Sequence, residues 1–589
     1  MKLNVFSGKN SRTPGCHPLF PFDSGPLALP AKVWHYGLLS FAAGLILLLL
    51  FSYDLPFLTQ NLSGATEFFP SFPFLFFCLS GIGLASGRLS NRWYECSVFI
   101  LAAVYLFVLY GDYLLLLHMS GDSICQVAYW NILFRPHLLG SIGVAFAKPG
   151  QVVLLGLLYQ MSLIGGHLVF KLGLCLIMAA CVWSLVGVAT DFGGRLAGIL
   201  AFFLSLWAFQ EEFVFSESTI YAITALFTGL RLYYYHPRLK GLGRCLLVLT
   251  LQFRIEAVAV LGVIWLMTLF KKDWRELITF SAWALISLLV FVGIILQIQG
   301  SLSRLNSGAA VGYVGPVLGN GAGDPAFSNN KIDYIAGIIR TEFSGTYYIR
   351  FLFILAILGI AGACCFNRKL YLTVFASMII ITVNVFLLNG TFNLVRYCDL
   401  IYAFSCSIGA AALVRYGHYA LQRRTPLRLG VLALGGFVLL AAFDFSRLNT
   451  YKHLDPANTS VFLASAMALM EDEKIPFSAR LLTEDDLLSH IVVVAPDRYQ
   501  SLASLQYFNV ASDAERQKIL AKTDYIWLDL HGFPYFYLFH LALPEWGADP
   551  FRLMIRKILA EGNQPRSLYG FQFIPLDLDA NRLLLKVAH

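Results

Sequence analysis

Charge is what this 589-residue chain has least of: 13% of its residues are Asp, Glu, Lys or Arg, against about 25% in a soluble globule. That deficit excludes an ordinary water-soluble domain. With 58% hydrophobic residues and a mean hydropathy of +0.67, it points to a polytopic membrane protein. No CxxC pair and no Cys/His cluster at zinc spacing occurs, and none of the eleven cysteines follows Cys406, which argues against a structural zinc and a disulfide framework. A GxxxxGK[ST] phosphate loop and an HExxH helix are both missing, so nothing points to an ATP-driven pump or a zinc protease. The halves show no inverted repeat visible by eye, which weakens a transporter reading. The basic excess, 43 Lys and Arg against 35 Asp and Glu, lies in short loops between apolar runs. Such loops encode membrane orientation and not a nucleic-acid surface.

Runs long enough to cross a bilayer occupy 33–53, 68–89, 95–117, 167–190, 195–210, 218–235, 275–300, 350–366, 371–388, 396–415 and 429–445, eleven in all. Two further stretches, 151–165 and 245–270, read as partial or re-entrant elements: the first is short, and the second carries Arg254 and Glu256 near its middle. Residues 1–32 form a Pro-rich segment with Lys2, Lys9, Arg12 and Lys32 against Asp23, which places the N-terminus in the cytoplasm. The first run lacks a small-residue cleavage site and reads as a retained span. Eleven spans put Arg231, Arg238, Lys240 and Arg244 inside, where thirteen would put them outside, so charge favours eleven.

The expected fold is therefore a polytopic α-helical membrane domain over 33–445, with outside loops at 118–150 and 301–349, followed by a periplasmic α/β domain over 446–589. The second loop holds GAAVGYVGPVLGNGAGDPAFSNN, either a segment that orders on a ligand or a plain linker. In the C-terminal domain 491–495 and 525–530 read as short strands, and Glu484, Asp485 and Asp486 as a cation site or, more simply, a helix N-terminus capped by Thr483.

An ionisable residue at the centre of a spanning helix costs about 2.5–3.5 kcal/mol on insertion scales, so each needs a partner or a task. Asp122, just past an apolar run in GDSICQVAYWNI, is either a base for a substrate hydroxyl or a helix N-cap. Asp112 lies ten residues earlier, about 15 Å away on a continuous helix, too far to act on the same atom. Glu211, Glu212 and Glu217 share one short turn that is either part of the site or simply solvated. Arg254 and Glu256 are a structural ion pair or the pivot of a site. Arg396 either clamps a lipid phosphate or snorkels at the interface. Arg135, His137 and Lys148 in the first outside loop, and Arg304, Lys331, Arg340 and Arg350 in and beside the second, suit an anionic ligand.

Taken in order, these segments resemble the GT-C superfamily of membrane glycosyltransferases, in the branch of the bacterial arabinofuranosyl and mannosyl transferases. GDSICQVAY resembles that branch's first-loop DDAYIxxRY, with Asp122 on the second acid, Tyr129 on the tyrosine and Gly121 in place of the first acid; AKPGQVVLLG supplies Lys148 and Pro149. SESTIYAITALF resembles GxETxLF through Glu217 and Ser218. QFRIEAVAV resembles RPEG through Arg254 and Glu256, with Ile255 for Pro, and RYCDL resembles RYxxP through Arg396 and Tyr397, with Leu400 for Pro.

The resemblance covers 120–400 and implies transfer of a sugar from a polyprenyl-phosphate donor to a hydroxyl of an envelope glycan, lipid or protein. It implies a bacterial inner-membrane enzyme acting at the periplasmic face with inversion. Asp122 would be the catalytic base, and Tyr129, Lys148, Glu217, Arg254, Glu256, Arg340, Arg396 and Tyr397 would bind substrate. Some relatives use a divalent metal and others basic side chains alone; the basic excess points to no cofactor. The alternatives are a transporter or flippase of a lipid-linked saccharide and a non-catalytic envelope scaffold.

Overall fold

The computed structural model describes residues 91–110, 122–135, 138, 148–209, 213, 218–254, 257–299, 399–414, 461–505, 508, 511–529, 549–562, 564–578 and 582–589. The expected spans at 33–53, 68–89, 350–366, 371–388 and 429–445 and the loop at 301–349 lie outside them. Helices α1 (Asn91–Tyr110), α2 (Asp122–Leu133), α3 (Pro149–Gly165), α4 (His167–Gly193), α5 (Arg195–Ala208), α6 (Ser218–Tyr235), α7 (Lys240–Leu249), α8 (Val258–Phe270), α9 (Trp274–Gln299) and α10 (Asp399–Phe404) form the N-terminal bundle. The last runs on through a π-helical turn, Ser405–Gly409.

Among the described residues two helices are long and apolar enough to cross a membrane, α4 over His167–Gly193 and α9 over Trp274–Ile298. Their surroundings differ. The apolar stretch of α4 is 67% buried and that of α9 only 11%. Helix α4 packs against α1, α3, α5 and α6 and inserts Leu174, Met178, Val182 and Leu185 into the core. Helix α9 leaves Ile278, Leu285, Leu288 and Leu289 uncovered, as suits a helix that meets lipid. Gly166 (φ +75°) and Gly194 (φ +82°) bound α4; both take the left-handed backbone that glycine adopts without a Cβ clash, so the chain reverses sharply at each end.

The stretch at 245–270 is a helix–break–helix hairpin. Arg244 donates to Glu276 Oε2 at 2.8 Å, and Glu276 N donates to Asp273 Oδ1 at 3.2 Å, so the outer ends of α7 and α8 meet at the start of α9. Between them the helix gives way to a 3-10 turn, Thr250–Gln252. Its Gln252 reaches Ser287, halfway along α9, at 2.6 Å. The arms, α7 with 10 residues and α8 with 13, are about 15 and 20 Å long at 1.5 Å per residue, both shorter than a hydrocarbon core of about 30 Å.

The C-terminal residues form a six-stranded sheet in the order β2-β1-β3-β6-β5-β4, built of β1 (Arg480–Thr483), β2 (Ser501–Ser504), β3 (Tyr525–Asp529), β4 (Arg566–Leu568), β5 (Phe571–Leu578) and β6 (Arg582–Ala588). Strand β1 runs parallel to β2 and β3; β3, β6, β5 and β4 pair antiparallel. Helices α11 (Val461–Glu471), α12 (Asp485–Val494), α13 (Asp513–Leu520) and α14 (Pro550–Glu561) cover it. Alternation along the strands sorts the two faces. Leu481, Trp527 and Leu584 join the core shared with α12 and the helical bundle, whereas Leu482, Ile526, Leu528, Leu583 and Leu585 pack with Leu520, Phe551 and Ile555 on the opposite face.

Two expectations for this domain change. Residues 491–495, read as a strand, lie in and just past α12, because Leu487, Leu488, Ile491 and Val492 recur at helical spacing and all four are fully buried. The strand expected at 525–530 is β3. The acidic run does open a helix, but Glu484 is the N-cap residue, while Thr483 ends β1 and its hydroxyl donates to Trp527 O at 2.9 Å.

Candidate functional site

One end of the bundle holds the charges expected inside. Arg231 donates to Asp191 Oδ2 and to Glu95 Oε1, both at 2.6 Å, and Lys240 and Arg244 both pair with Glu276. Thr219 lies twelve residues back along α6 from Arg231, about 18 Å up the helix. Around Thr219 the candidate residues collect.

Helix α2 starts at Asp122. One turn on, Gln126 is buried and its Oε1 accepts from Lys148 N at 2.9 Å, which ties the first outside segment to the start of α3. Pro149 then opens α3 from an extended Lys148, a position where its missing N–H costs nothing. Gly150 follows because the break in the α7–α8 hairpin presses on it: an added Cβ would sit 2.7 Å from Phe253 Cε1 and 2.9 Å from Gln252 Cβ. Phe253 stacks on Tyr221 with centroids 5.7 Å apart. Next to it, Arg254 Nη2 donates to Thr219 Oγ1, and Gln252 Nε2 donates to the Ser287 carbonyl at 2.6 Å. Gln126 and the segments at 148–150, 219–221 and 252–254, far apart in sequence, thus form one continuous set of contacts.

The sequence-derived residues fall into three groups. Lys148 and Arg254 are brought to this locus, and Asp122 begins the helix that Gln126 anchors there. Glu217, Glu256, Arg340, Arg396 and Tyr397 lie outside the described residues, as do Asp112, Glu211 and Glu212. Tyr129, on the same helix α2, is 0% exposed and belongs to the buried core. Arg254, read as half of an ion pair or as a pivot, is held by a hydroxyl of α6; that hydroxyl belongs to Thr219, one position past the Ser218 that the motif comparison had singled out.

Gln126, Thr219, Gln252 and Ser287 were not singled out beforehand. A signal existed for the two amides. Each stands in an apolar run, where an amide needs a partner much as a charge does. Arg135, expected to serve an anionic ligand, pairs with Asp497 of the C-terminal domain at 3.4 Å.

No protein-family model and no curated protein matches the chain. Among solved structures it is similar to the archaeal oligosaccharyltransferase AglB from Archaeoglobus fulgidus in complex with an inhibitory peptide and a dolichol-phosphate, at 13% identity and a TM-score of 0.43 over 85% of this chain and 77% of that one. It is also similar to ArnT from Cupriavidus metallidurans bound to undecaprenyl phosphate, at 12% identity and a TM-score of 0.40 over 84% of this chain and 98% of that one. The site itself stands on the contacts described above.

Proposed function

We propose that the protein is a glycosyltransferase of a bacterial inner membrane that moves a sugar from a polyprenyl-phosphate donor to a hydroxyl of an envelope glycan, lipid or protein at the periplasmic face. The observation that carries this reading is the convergence of the α2 start, Lys148, Thr219 and Arg254 on one end of the bundle. A proton acceptor and cations are what this transfer needs at one place. In the proposed step the acceptor hydroxyl attacks the anomeric carbon and gives its proton to the Asp122 carboxylate. The bond from that carbon to the phosphate oxygen breaks, polyprenyl phosphate leaves, and the anomeric configuration inverts. Lys148 and Arg254 offset the charge that grows on the leaving phosphate.

The test is hydrolysis of radiolabelled polyprenyl-phosphate mannose, arabinofuranose, glucose and galactose by the purified protein, with and without EDTA. Sugar is expected to be released from one donor and not by Asp122→Asn; loss in the EDTA arm would assign a divalent ion to the leaving group. Full activity of Asp122→Asn refutes the assignment of the base. Absence of release from every donor, together with translocation of a lipid-linked saccharide in vesicles, would replace the transferase by a flippase.

A further inference from the structure

The C-terminal domain does not merely sit beside the bundle. Helix α12 lies along α2, and the contacts advance together on both: Cys125 Sγ is 3.0 Å from Ser489 Oγ, Asn131 Nδ2 donates to Val492 O at 3.1 Å, and Arg135 Nε donates to Asp497 Oδ1 at 3.4 Å. The two helices therefore run parallel, and both begin about one turn before the Cys125–Ser489 contact. Between these polar points Ile124, Val127, Ala128, Leu488, Ile491 and Val492 belong to one buried core.

The C-terminal end of α12 explains why the alignment is specific. Ala495 N closes the last intrahelical bond on Ile491 O, at 2.8 Å, so the carbonyls after Ile491 have no partner within the helix. Asn131 of α2 donates to the first, Val492 O, and the Tyr159 hydroxyl of α3 donates to the second, Val493 O, at 3.4 Å. Helix α12 is thus capped by side chains of the membrane unit. Sliding it along α2 by one residue would strip both carbonyls of these donors, and a buried carbonyl left unsatisfied is costly.

We propose that α12 is a clamp that sets the catalytic helix, with Asn131 as the positioning residue: it fixes α2 against the C-terminal domain and thereby the place of Asp122, one turn from Cys125. This rests on the reading of Asp122 as the base. The C-terminal domain then acts in turnover without touching the reacting atoms. An α2 displaced by about 1 Å would lower turnover by up to about a hundredfold while donor binding by the other segments persists.

Two readouts test this. Ser489→Cys in the full-length protein places a thiol opposite the native Cys125, within reach of a disulfide after a small shift. Peptide mapping by mass spectrometry after mild oxidation is expected to find residues 125 and 489 linked, independently of any activity. The oxidised and reduced forms of that variant should turn over within about twofold of each other, since the clamp stays closed. Asn131→Ala is expected to lower kcat by about tenfold or more with the donor KM unchanged, and oxidised Asn131→Ala/Ser489→Cys to regain most of it, because the disulfide replaces the lost cap as the tether. Rescue by a covalent tether is something a general loss of folding would not show.

Absence of the 125–489 link in folded protein overturns the clamp. So does a link that forms while Asn131→Ala keeps wild-type kcat, or a double variant that is not rescued on oxidation. Failure of the underlying reading is seen separately: Asp122→Asn with full turnover removes the base, and the positioning role with it, while the 125–489 link still forms.

Discussion

Replacing Arg231 by Leu tests whether the charged end of the bundle holds α1, α4 and α6 together. The guanidinium makes a two-pronged contact to Asp191, 2.6 Å from Nε and 3.2 Å from Nη2, and a third bond to Glu95 at 2.6 Å. Its side chain is 11% exposed and its partners about a quarter exposed, 25% for Asp191 and 26% for Glu95. Losing one partner of a buried pair costs about 3–5 kcal/mol because the remaining charge stays buried; partial exposure of both acids argues for the lower end, about 3 kcal/mol. The thermal transition of the detergent-purified protein should fall by several degrees for Arg231→Leu, and Glu95→Gln with Asp191→Asn added to it should recover most of the loss, since no uncompensated charge then remains. A transition within one degree of wild type for the single variant, or no recovery in the triple variant, would refute the argument.

Three further outcomes follow from other parts of the molecule. Arg516→Leu removes the bonds from the guanidinium to Asp549, to the Tyr569 hydroxyl and to the Phe508 carbonyl, leaving Asp549, the cap of α14, without its main counter-charge; a loss of about 3 kcal/mol should appear as earlier proteolysis of the C-terminal domain. Gly156→Ala would put a Cβ 2.1 Å from the rigid Trp130 ring, so it should cost about 1–3 kcal/mol by overpacking, read as a lowered transition temperature, and an unchanged transition would contradict the close approach of α3 to Trp130. Hydrogen bonds from Arg480 hold the Asp524 carboxyl below the usual carboxylate range, and those from Lys474 do the same for Asp577. A depressed carboxylate contributes stability that is present above the unfolded value of about 3.9 and is lost as pH falls through the lower folded value, so the domain should weaken below about pH 4 and Asp524→Asn should flatten that dependence.

How far the sequence could be read depended on the kind of signal. Long apolar runs gave the positions of α4, α6 and α9 to within a few residues, because only a contiguous stretch of such residues can face lipid or a buried core. Arg254 inside an apolar stretch foretold the break between α7 and α8, because a charge there needs a local partner. Periodicity failed at 491–495, where a run of β-branched residues reads as a strand in isolation; tertiary burial on α2 on one side and on the sheet on the other favours a helix. The α2–α12 contact left no trace, since Cys125, Ser489 and Asn131 are each unremarkable in sequence and become informative only when the fold sets them 3.0–3.1 Å from their partners.

That contact also constrains the topology. Cys125 and Ser489 touch, so α2 and the C-terminal domain share one side of the membrane, and the chain between Arg135 and Val461 must cross an even number of times. The reading with eleven spans has eight in that interval, and adding 151–165 and 245–270 makes ten; both satisfy the constraint, whereas losing any single span between them would not. Labelling of single-cysteine variants at positions 135 and 497 in intact cells and in opened vesicles reads this directly. Both must react from the same side, and because Arg135 and Asp497 are paired, a result that separates them would refute the α2–α12 contact and with it the clamp.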